Sequence, residues 1–519
     1  MRVGIANPFS YRPHVGHMVF IVRQLKRLGY SPFYLGCGGN LENCNSKVNK
    51  VGLFKKLECL KCRIGGLRSY LKINSSRMDL NIPLSKEDID IGYEMSFSTA
   101  CTALRIEHIS EAKSVNFKNI QHSMAESVAR VYLNTRRWIR ENKLESVFIF
   151  NGRMDVTRAI LEACRAESTR FISVERSWFG DGLQLLPEED CLGLRNYHDI
   201  CRLWASRPLK YDQAIKACQL IRRRLKRTSV GEWRQYNINT SADYKKDNIK
   251  YLFLPSSQHE WLGDQGRSSE WLHPVEGIEY LFDRLGINLN DLVVRGHPGW
   301  NVKIGSATGD RVNQYYRDWA EKTGVKYIDP SENVDTHNLI KNSRMILLNG
   351  SSASMEAAYL GKPIISFVPS AYTTSGISMN IFNKDDVDNL SDYCINSLIN
   401  PEIYVIDPEA QCMLALRFIY CTNFRIMQFV DSVKSTSPYS FEIDESPCLD
   451  GFESLVLSGI LKEDDSGFDS DDKGEKLVIE AILTGNYDLI DSKNDENPKV
   501  NSVCINRRKG YKLIDMIFN

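Results

Sequence analysis

The sequence predicts an α/β protein with two doubly wound parallel-sheet domains facing across a cleft, followed by a C-terminal extension. Three observations carry this. Residues 344–369, RMILLNGSSASMEAAYLGKPIISFVP, read as buried strand, sharp turn, short helix and buried strand. Residues 3–35 open the chain with the same alternation of apolar run, loop, amphipathic helix and second apolar run. A polar, weakly patterned stretch, GEWRQYNINTSADYKKD at 231–247, separates two such series. We therefore place a first domain at 1–235, a linker at 236–248, a second domain at 249–430 and an acidic, partly mobile extension at 431–519.

Composition narrows the class. A chain of 519 residues is long enough for two or three domains with substantial cores. Hydrophobic content of 42% and charged content of 25% are ordinary for a globular protein in water. A net charge of +1 gives no bulk attraction to nucleic acid or an anionic membrane. No apolar run reaches 18 residues, so no transmembrane helix is expected. The opening MRVGIANPFSYRP lacks the basic start and apolar core of an export signal. Fourteen cysteines without such a signal point to reduced thiols and a cytoplasmic location.

The elements follow in order. A strand at 3–6 leads through loop 7–16 to a helix at 17–28, with Val19, Phe20, Val22, Leu25 and Leu28 on its apolar side. Gly29 stops it, and 32–35 is the next strand. The loop has no G-x-G-x-x-G, which excludes a dinucleotide fingerprint there. It brings His14, Gly16 and His17 to the strand's carboxyl end, with His17 either a ligand-facing group or a helix cap. Cys59 and Cys62 have metal-knuckle spacing, and Cys37 and Cys44 complete four thiols, either a structural zinc site or ordinary reduced cysteines. Residues 85–140 read as largely helical. A strand at 146–150 ends at Asn151-Gly152-Arg153; after a helix at 156–166, a strand at 170–174 ends at Glu175-Arg176. Carboxyl ends of parallel strands are where open α/β sheets place ligands. Arg153 and Arg176 suit an anionic carboxylate or phosphate, although Arg176 equally suits a structural ion pair. Gly180-Asp181-Gly182 is a loop with a central carboxylate or a plain surface turn. A helix at 212–227 ends in IRRRLKR, which either meets phosphate-rich lipid or polymer or forms a solvated face.

The second series begins with a strand at 251–254 and a helix at 274–285. A strand at 292–295, ending in Arg295, runs into Gly296-His297-Pro298-Gly299, a stiff corner whose imidazole can donate to a phosphate or a leaving-group oxygen. Helix 312–322, strand 325–328 and helix 336–342 lead to the 344–369 unit. There Ser351 or Ser352 is expected to cap a helix from about 354, offering N–H groups and hydroxyls to a phosphate. Glu356, one turn in, suits a ribose diol, and Gly361 ends the helix. Helices within 408–430 are expected to cross back to the first domain. Residues 463–475, EDDSGFDSDDKGE, are acidic and read as mobile.

His297-Pro298 and Ser351-Ser352 together resemble the HP and SS motifs of bacterial GT-B sialyltransferases, polysialyltransferases and capsule Kdo transferases. The run from Tyr327-Ile-Asp-Pro to Glu356-Ala-Ala-Tyr-Leu-Gly-Lys-Pro is similar to the capsule polysaccharide biosynthesis family. The resemblance covers roughly residues 250–369. It implies a GT-B fold of two Rossmann-like domains. It also implies a nucleotide site of Arg295, His297, Pro298, Ser351, Ser352 and Glu356, with His297 taking part in catalysis. The acceptor site it implies comprises His17, Asn151, Arg153 and Arg176, and the catalytic carboxylate is Glu175 or Asp181. Only Asp181-Gly182 matches the families' D/E-D/E-G motif, because Gly180 replaces its first acid. The implied activity transfers a sugar from a nucleotide donor, CMP-Kdo or CMP-sialic acid before others, to a surface glycan or glycolipid in capsule or lipopolysaccharide synthesis. No metal is expected in catalysis and no nucleic acid as partner, and peripheral contact with the cytoplasmic face of the inner membrane is expected. A UDP- or GDP-sugar enzyme, a CDP-polyol phosphotransferase and a non-catalytic assembly protein are the alternatives.

Overall fold

In the computed structural model the first sheet comprises β1 (Arg2–Ala6), β2 (Ser31–Gly36), β3 (Asn74–Arg77), β4 (Ser146–Phe150), β5 (Arg170–Arg176) and β6 (Leu183–Pro187). Its spatial order is β3-β2-β1-β4-β5-β6, and all neighbours run parallel except β6, which returns antiparallel on β5. The second sheet comprises β7 (Ile249–Leu254), β8 (Leu292–Arg295), β9 (Lys326–Ile328), β10 (Ser343–Leu348), β11 (Ile364–Ser366) and β12 (Met379–Asn380). Its order is β12-β11-β10-β7-β8-β9, parallel throughout. Counted within each sheet, both follow 3-2-1-4-5-6, the Rossmann-like winding, so the chain carries the paired sheets of a GT-B fold. The structure describes residues 1–11, 14–78, 81–179, 182–226, 249–301, 310–401, 407–427, 432–437, 440–446, 449–459, 472–491, 502–508 and 510–511.

Central strands are apolar from end to end because helices cover both faces; all five residues of β4, SVFIF, are buried. The helix after β1 begins at His14, three residues earlier than the sequence suggested, and runs to Arg27. Gly16 sits where a Cβ would lie 2.7 Å from the Phe441 ring, so only glycine lets this helix meet the strand that carries Phe441. Gly361 has φ +69°, and ends the helix Ser354–Tyr359 as expected. That helix has Ala353, not Ser351 or Ser352, at its N-cap, and spans only six residues. Strand β5 continues through Arg176, so Glu175 and Arg176 lie within it.

Packing redistributes the expected units. The helix Tyr211–Leu225, drawn into the first domain on sequence grounds, shares a core with Leu252 and Ile346 of the second sheet and with helices Pro408–Tyr420 and Lys473–Thr484. Arg417 and Glu475 join the last two helices by a bidentate pair at 2.6 and 2.9 Å, buried on both sides. β13 (Val433–Ser437), β14 (Ser440–Asp444) and β15 (Ser502–Asn506) form a three-stranded antiparallel sheet. Phe441, Ile443, Phe452 and Leu455 enter the core around Val3 and Ile5, so this sheet and the helix Leu449–Ser458 are docked on the first domain, whereas Lys473–Thr484 packs in the core of the second sheet. Residues 463–471 of the acidic run, and the linker at 236–248, lie outside the described residues, whereas Lys473–Glu475, read as mobile, open the helix Lys473–Thr484, with Glu475 buried. Among the described residues no helix is long and apolar enough to cross a membrane.

Candidate functional site

Each sheet has its switch point between its first and fourth strands, and the loops leaving those strands carry the polar groups. In the first sheet Asn151 follows β4 at φ +64°, a left-handed turn that asparagine tolerates. Its Oδ1 accepts from the N–H groups of Arg153 and Met154 at 3.0 and 3.1 Å and so fixes the start of the helix Asp155–Ala166. Its Nδ2 donates to Glu175 Oε2 at 2.8 Å and to Cys191 Sγ at 3.1 Å. Glu175 Oε1 accepts from Arg176 N at 3.0 Å and pairs with His14 Nε2. Burial alone raises the pKa of Glu175. The His14 charge and the hydrogen bonds from His14, Asn151 and Arg176 N–H outweigh it and lower the carboxyl to about 2.

In the second sheet the loops after β7 and β10 are laced together. Asn349 Oδ1 accepts from Ser256 N at 2.6 Å, and its Nδ2 donates to Ser256 O at 3.1 Å. Gly350, at φ +100°, donates its N–H to the Tyr372 hydroxyl at 3.1 Å. Ser351 Oγ accepts from Ala353 N at 3.3 Å, while Ser352 is exposed. Glu356 is 1% exposed; its Oε1 accepts from Arg224 Nε at 2.5 Å and lies 3.9 Å from His337 Nε2. Its Oε2 and the nearby-in-sequence Ser354 Oγ are buried with no hydrogen-bond partner. His297 Nδ1 accepts from Gly299 N at 3.0 Å, so the neutral ring carries its hydrogen on Nε2 and presents a donor there.

The two sets face each other. Arg267, from the 3₁₀ turn Gln265–Arg267, donates to Leu192 O of the first domain at 3.1 Å. A Cβ on Gly350 would lie 3.7 Å from Arg267 Nη1. Glu175, Asn151, Cys191, Leu192, Arg267 and Gly350 therefore form one contact path across the cleft. His198 Nε2 meets Ser370 O at 2.9 Å, and Thr102 donates to His259 O at 3.2 Å on the same seam.

Several expectations are revised. Arg295 is buried, and its guanidinium donates to the carbonyls of Asp329, Glu332 and Val334, so it staples the loop after β9 instead of facing a nucleotide. His17 is fully buried one turn inside the helix, and His14 holds the cleft position. A proline directly ahead of His14 was the sequence signal for that earlier helix start. Arg153 Nη1 donates to Ser98 and Thr102 hydroxyls at 2.7 and 3.2 Å. His14 pairs with Glu175, to which Arg176 contributes its backbone N–H. Pro298 opens the 3₁₀ turn Pro298–Asn301. Asp181 lies outside the described residues. Arg267 and Arg224 were not singled out as ligands of these loops, because neither sits in a motif. Cys37, Cys44, Cys59 and Cys62 do line one cavity of about 20 Å³. Burial raises the Cys37 and Cys44 thiols and brings Cys62 to about 11. Among the described residues no group of three or more His, Cys, Asp or Glu is placed to hold a metal ion. These cysteines share a cavity without forming a ligand set.

No family model and no curated protein matches the sequence. Among solved structures, the chain is similar to the β-Kdo 2,4 transferase KpsC of Thermosulfurimonas dismutans at 15% identity. That match covers 53% of this chain and 79% of that one, with a TM-score of 0.29. It is similar to S. aureus MnaA in complex with UDP at 15% identity, covering 82% and 94%, with a TM-score of 0.30. The UDP-GlcNAc 2-epimerase of Neisseria meningitidis bound to UDP-GlcNAc matches at 14%, covering 81% and 97%, with a TM-score of 0.28. Superpositions this loose carry no argument; the fold rests on the strand order.

Proposed function

We propose that the chain is a GT-B glycosyltransferase that moves a sugar from a nucleotide donor, CMP-linked before others, to a glycan or glycolipid acceptor. One observation carries the reading: the switch-point loops of both sheets meet across one cleft, linked from Glu175 to Gly350 through Arg267. In this reading the second domain holds the donor. His297 Nε2–H and the Ser351 and Ser352 hydroxyls donate to phosphate oxygens, and Arg267 balances their charge as the leaving group departs. Glu356 Oε2, buried and without a partner, receives a ribose hydroxyl. The first domain holds the acceptor. Glu175, with a pKa near 2, is ionised at neutral pH and suits a fixed anion that orients the acceptor hydroxyl. A base works best with a pKa near the working pH, which sets Glu175 against that role and leaves Asp181 as the other candidate for the proton.

A hydrolysis and transfer screen with CMP-, CDP-, UDP- and GDP-linked donors tests the reading. Turnover of a CMP-sugar supports it. Turnover of a UDP- or GDP-sugar alone moves the donor, and turnover of a CDP-polyol alone moves the chemistry. No turnover and no nucleotide binding would leave a non-catalytic assembly protein.

A further inference from the structure

The helix Leu53–Gly65, LFKKLECLKCRIG, has no buried residue. Leu53, Leu57, Leu60 and Ile64 recur at three- and four-residue spacing, the stripe by which a helix normally seats on a core. Yet Leu53 is 69% exposed, Phe54 64% and, in the turn just before, Val51 76%. These three form the densest grouping of exposed large hydrophobic side chains among the described residues. Gly52, between them at φ +54°, has nothing within 4 Å of its Cβ position, so the turn stands clear of the rest of the protein.

The charge around this turn is lopsided. Residues 47–77 hold nine Lys or Arg and one acid, Glu58, in a chain whose net charge is +1. Lys56, Lys61, Arg63, Lys72 and Arg77 are exposed, and Glu58 accepts from Lys61 at 2.9 Å. A short helix with apolar tips and a basic surround fits the interface of an anionic bilayer. The other basic run, at the end of the helix Tyr211–Leu225, does not. Arg222 stacks on the Tyr487 ring at 3.7 Å, and Arg224 is bound to Glu356.

We propose that Val51, Leu53 and Phe54 insert into the interfacial layer of an anionic membrane, with Lys50, Lys56, Lys61 and Arg63 against its headgroups. The far end of the same helix meets the loop that leads to His14: a Cβ on Gly65 would lie 2.7 Å from Ser10 Cβ. Docking therefore brings the acceptor side of the cleft to the lipid surface. The surface itself does not depend on the transfer reading, because binding is measured without any donor.

Flotation of the full-length protein with vesicles tests it. With phosphatidylcholine and phosphatidylglycerol in about equal parts at low salt the protein should float, and with phosphatidylcholine alone it should not. Leu53→Glu/Phe54→Glu should lower vesicle affinity at least about tenfold with an unchanged melting curve. Lys56→Glu/Lys61→Glu/Arg63→Glu should lower it by about fivefold or more per residue and flatten the salt dependence. Phe54→Trp keeps the apolar tip, and its emission should shift to the blue on the mixed vesicles. Failure of the wild type to float overturns the proposal, as does flotation unaffected by Leu53→Glu/Phe54→Glu. A wild-type dimer that this double variant converts to monomer overturns it too, because the face is then a contact between copies.

Discussion

Two carboxylates lie near the switch points of two sheets with the same winding, Glu175 half-buried in β5 and Glu356 buried in the helix after β10, yet the protein completes one and leaves the other open. Glu175 has protein donors on both oxygens: His14 and Arg176 N–H on Oε1, Asn151 on Oε2. Glu356 has Arg224 on Oε1 at 2.5 Å, while Oε2 is buried without a partner. A carboxylate supplied with donors on every side is held ionised. A buried oxygen with none carries a desolvation cost of about 1–3 kcal/mol that a ligand hydroxyl can remove. The first arrangement keeps a charge in place, and the second awaits a hydrogen bond. Under the proposed function the first would organise the acceptor and the second would be completed by the donor.

The comparison breaks most visibly at the acceptor carboxylates. Glu175→Gln and Asp181→Asn, assayed side by side for transfer and for donor binding, should separate the fixed charge from the proton acceptor. The variant lacking the base should bind donor normally and lose about 10²–10⁴-fold in turnover. Normal turnover in both variants would remove each from the chemistry. On the donor side, His297→Ala and Ser351→Ala/Ser352→Ala should each lower the rate by about 10²–10³-fold. Glu356→Gln, which keeps the shape and loses the charge, should raise KM for the donor at least about tenfold with a smaller change in kcat. An unchanged KM would mean that Oε2 receives nothing from the donor.

Acid titration sharpens the contrast further. The folded-state pKa of Glu175 is lowered to about 2, so its contribution is present above the unfolded value near 4.5 and lost as pH falls through about 2. The shift corresponds to about 3 kcal/mol as an order of magnitude. Glu175→Gln should therefore flatten the loss of stability between about pH 4.5 and 2, measured by urea unfolding at each pH. Parallel curves for variant and wild type would show that His14 and Asn151 do not hold the charge as described.

The fold was legible because periodicity is a property of long segments. Apolar runs at 146–150 and 344–348, each followed by a turn signal and a helix, were enough to give two wound sheets. The strand-end positions of Asn151, Glu175, His297 and Ser351 followed from the same pattern. What the pattern could not give was which side chains meet. Arg295 ends β8 as read, but three carbonyls of the loop after β9 claim its guanidinium, a contact across more than 30 residues. Arg224 looked like part of a solvated basic run, yet it reaches Glu356 at a separation of 132 residues. His14 and His17 differ by less than one helical turn, and a three-residue error in the helix start exchanged their roles. Local patterns fix element type, whereas pairings of charged side chains are set by packing between elements distant in sequence.

Glu107 supplies the last and smallest test, because it inverts Glu175. It sits between the helix Phe97–Leu104 and the 3₁₀ turn Ile109–Lys113 of the first domain, buried against the second. Tyr316 donates to Oε1 at 3.0 Å and Gln258 N to Oε2 at 3.2 Å, and His273 Nε2 lies 3.5 Å away. It has two hydrogen-bond donors where Glu175 has three, and no cation. Burial and the neighbouring His108 charge push the His273 imidazole well below its usual range, so His273 stays neutral. Arg311 pairs with Glu111, and the Glu111 and Glu260 carboxylates add repulsion. Burial pushes the Glu107 carboxyl well above the usual carboxylate range, which favours its protonated form in the folded protein. For a raised pKa the contribution is full below the unfolded value near 4.5 and is lost as pH rises toward the folded one. Glu107→Gln cannot ionise. Near pH 4 it should cost about 1 kcal/mol, for an amide fitted where a carboxylic acid was. As pH rises above the unfolded value that deficit should shrink or reverse, because only the wild type is working against ionisation. Thermal melts of both proteins across this range check it; a deficit that stays constant with pH would mean that Glu107 does not change protonation on folding.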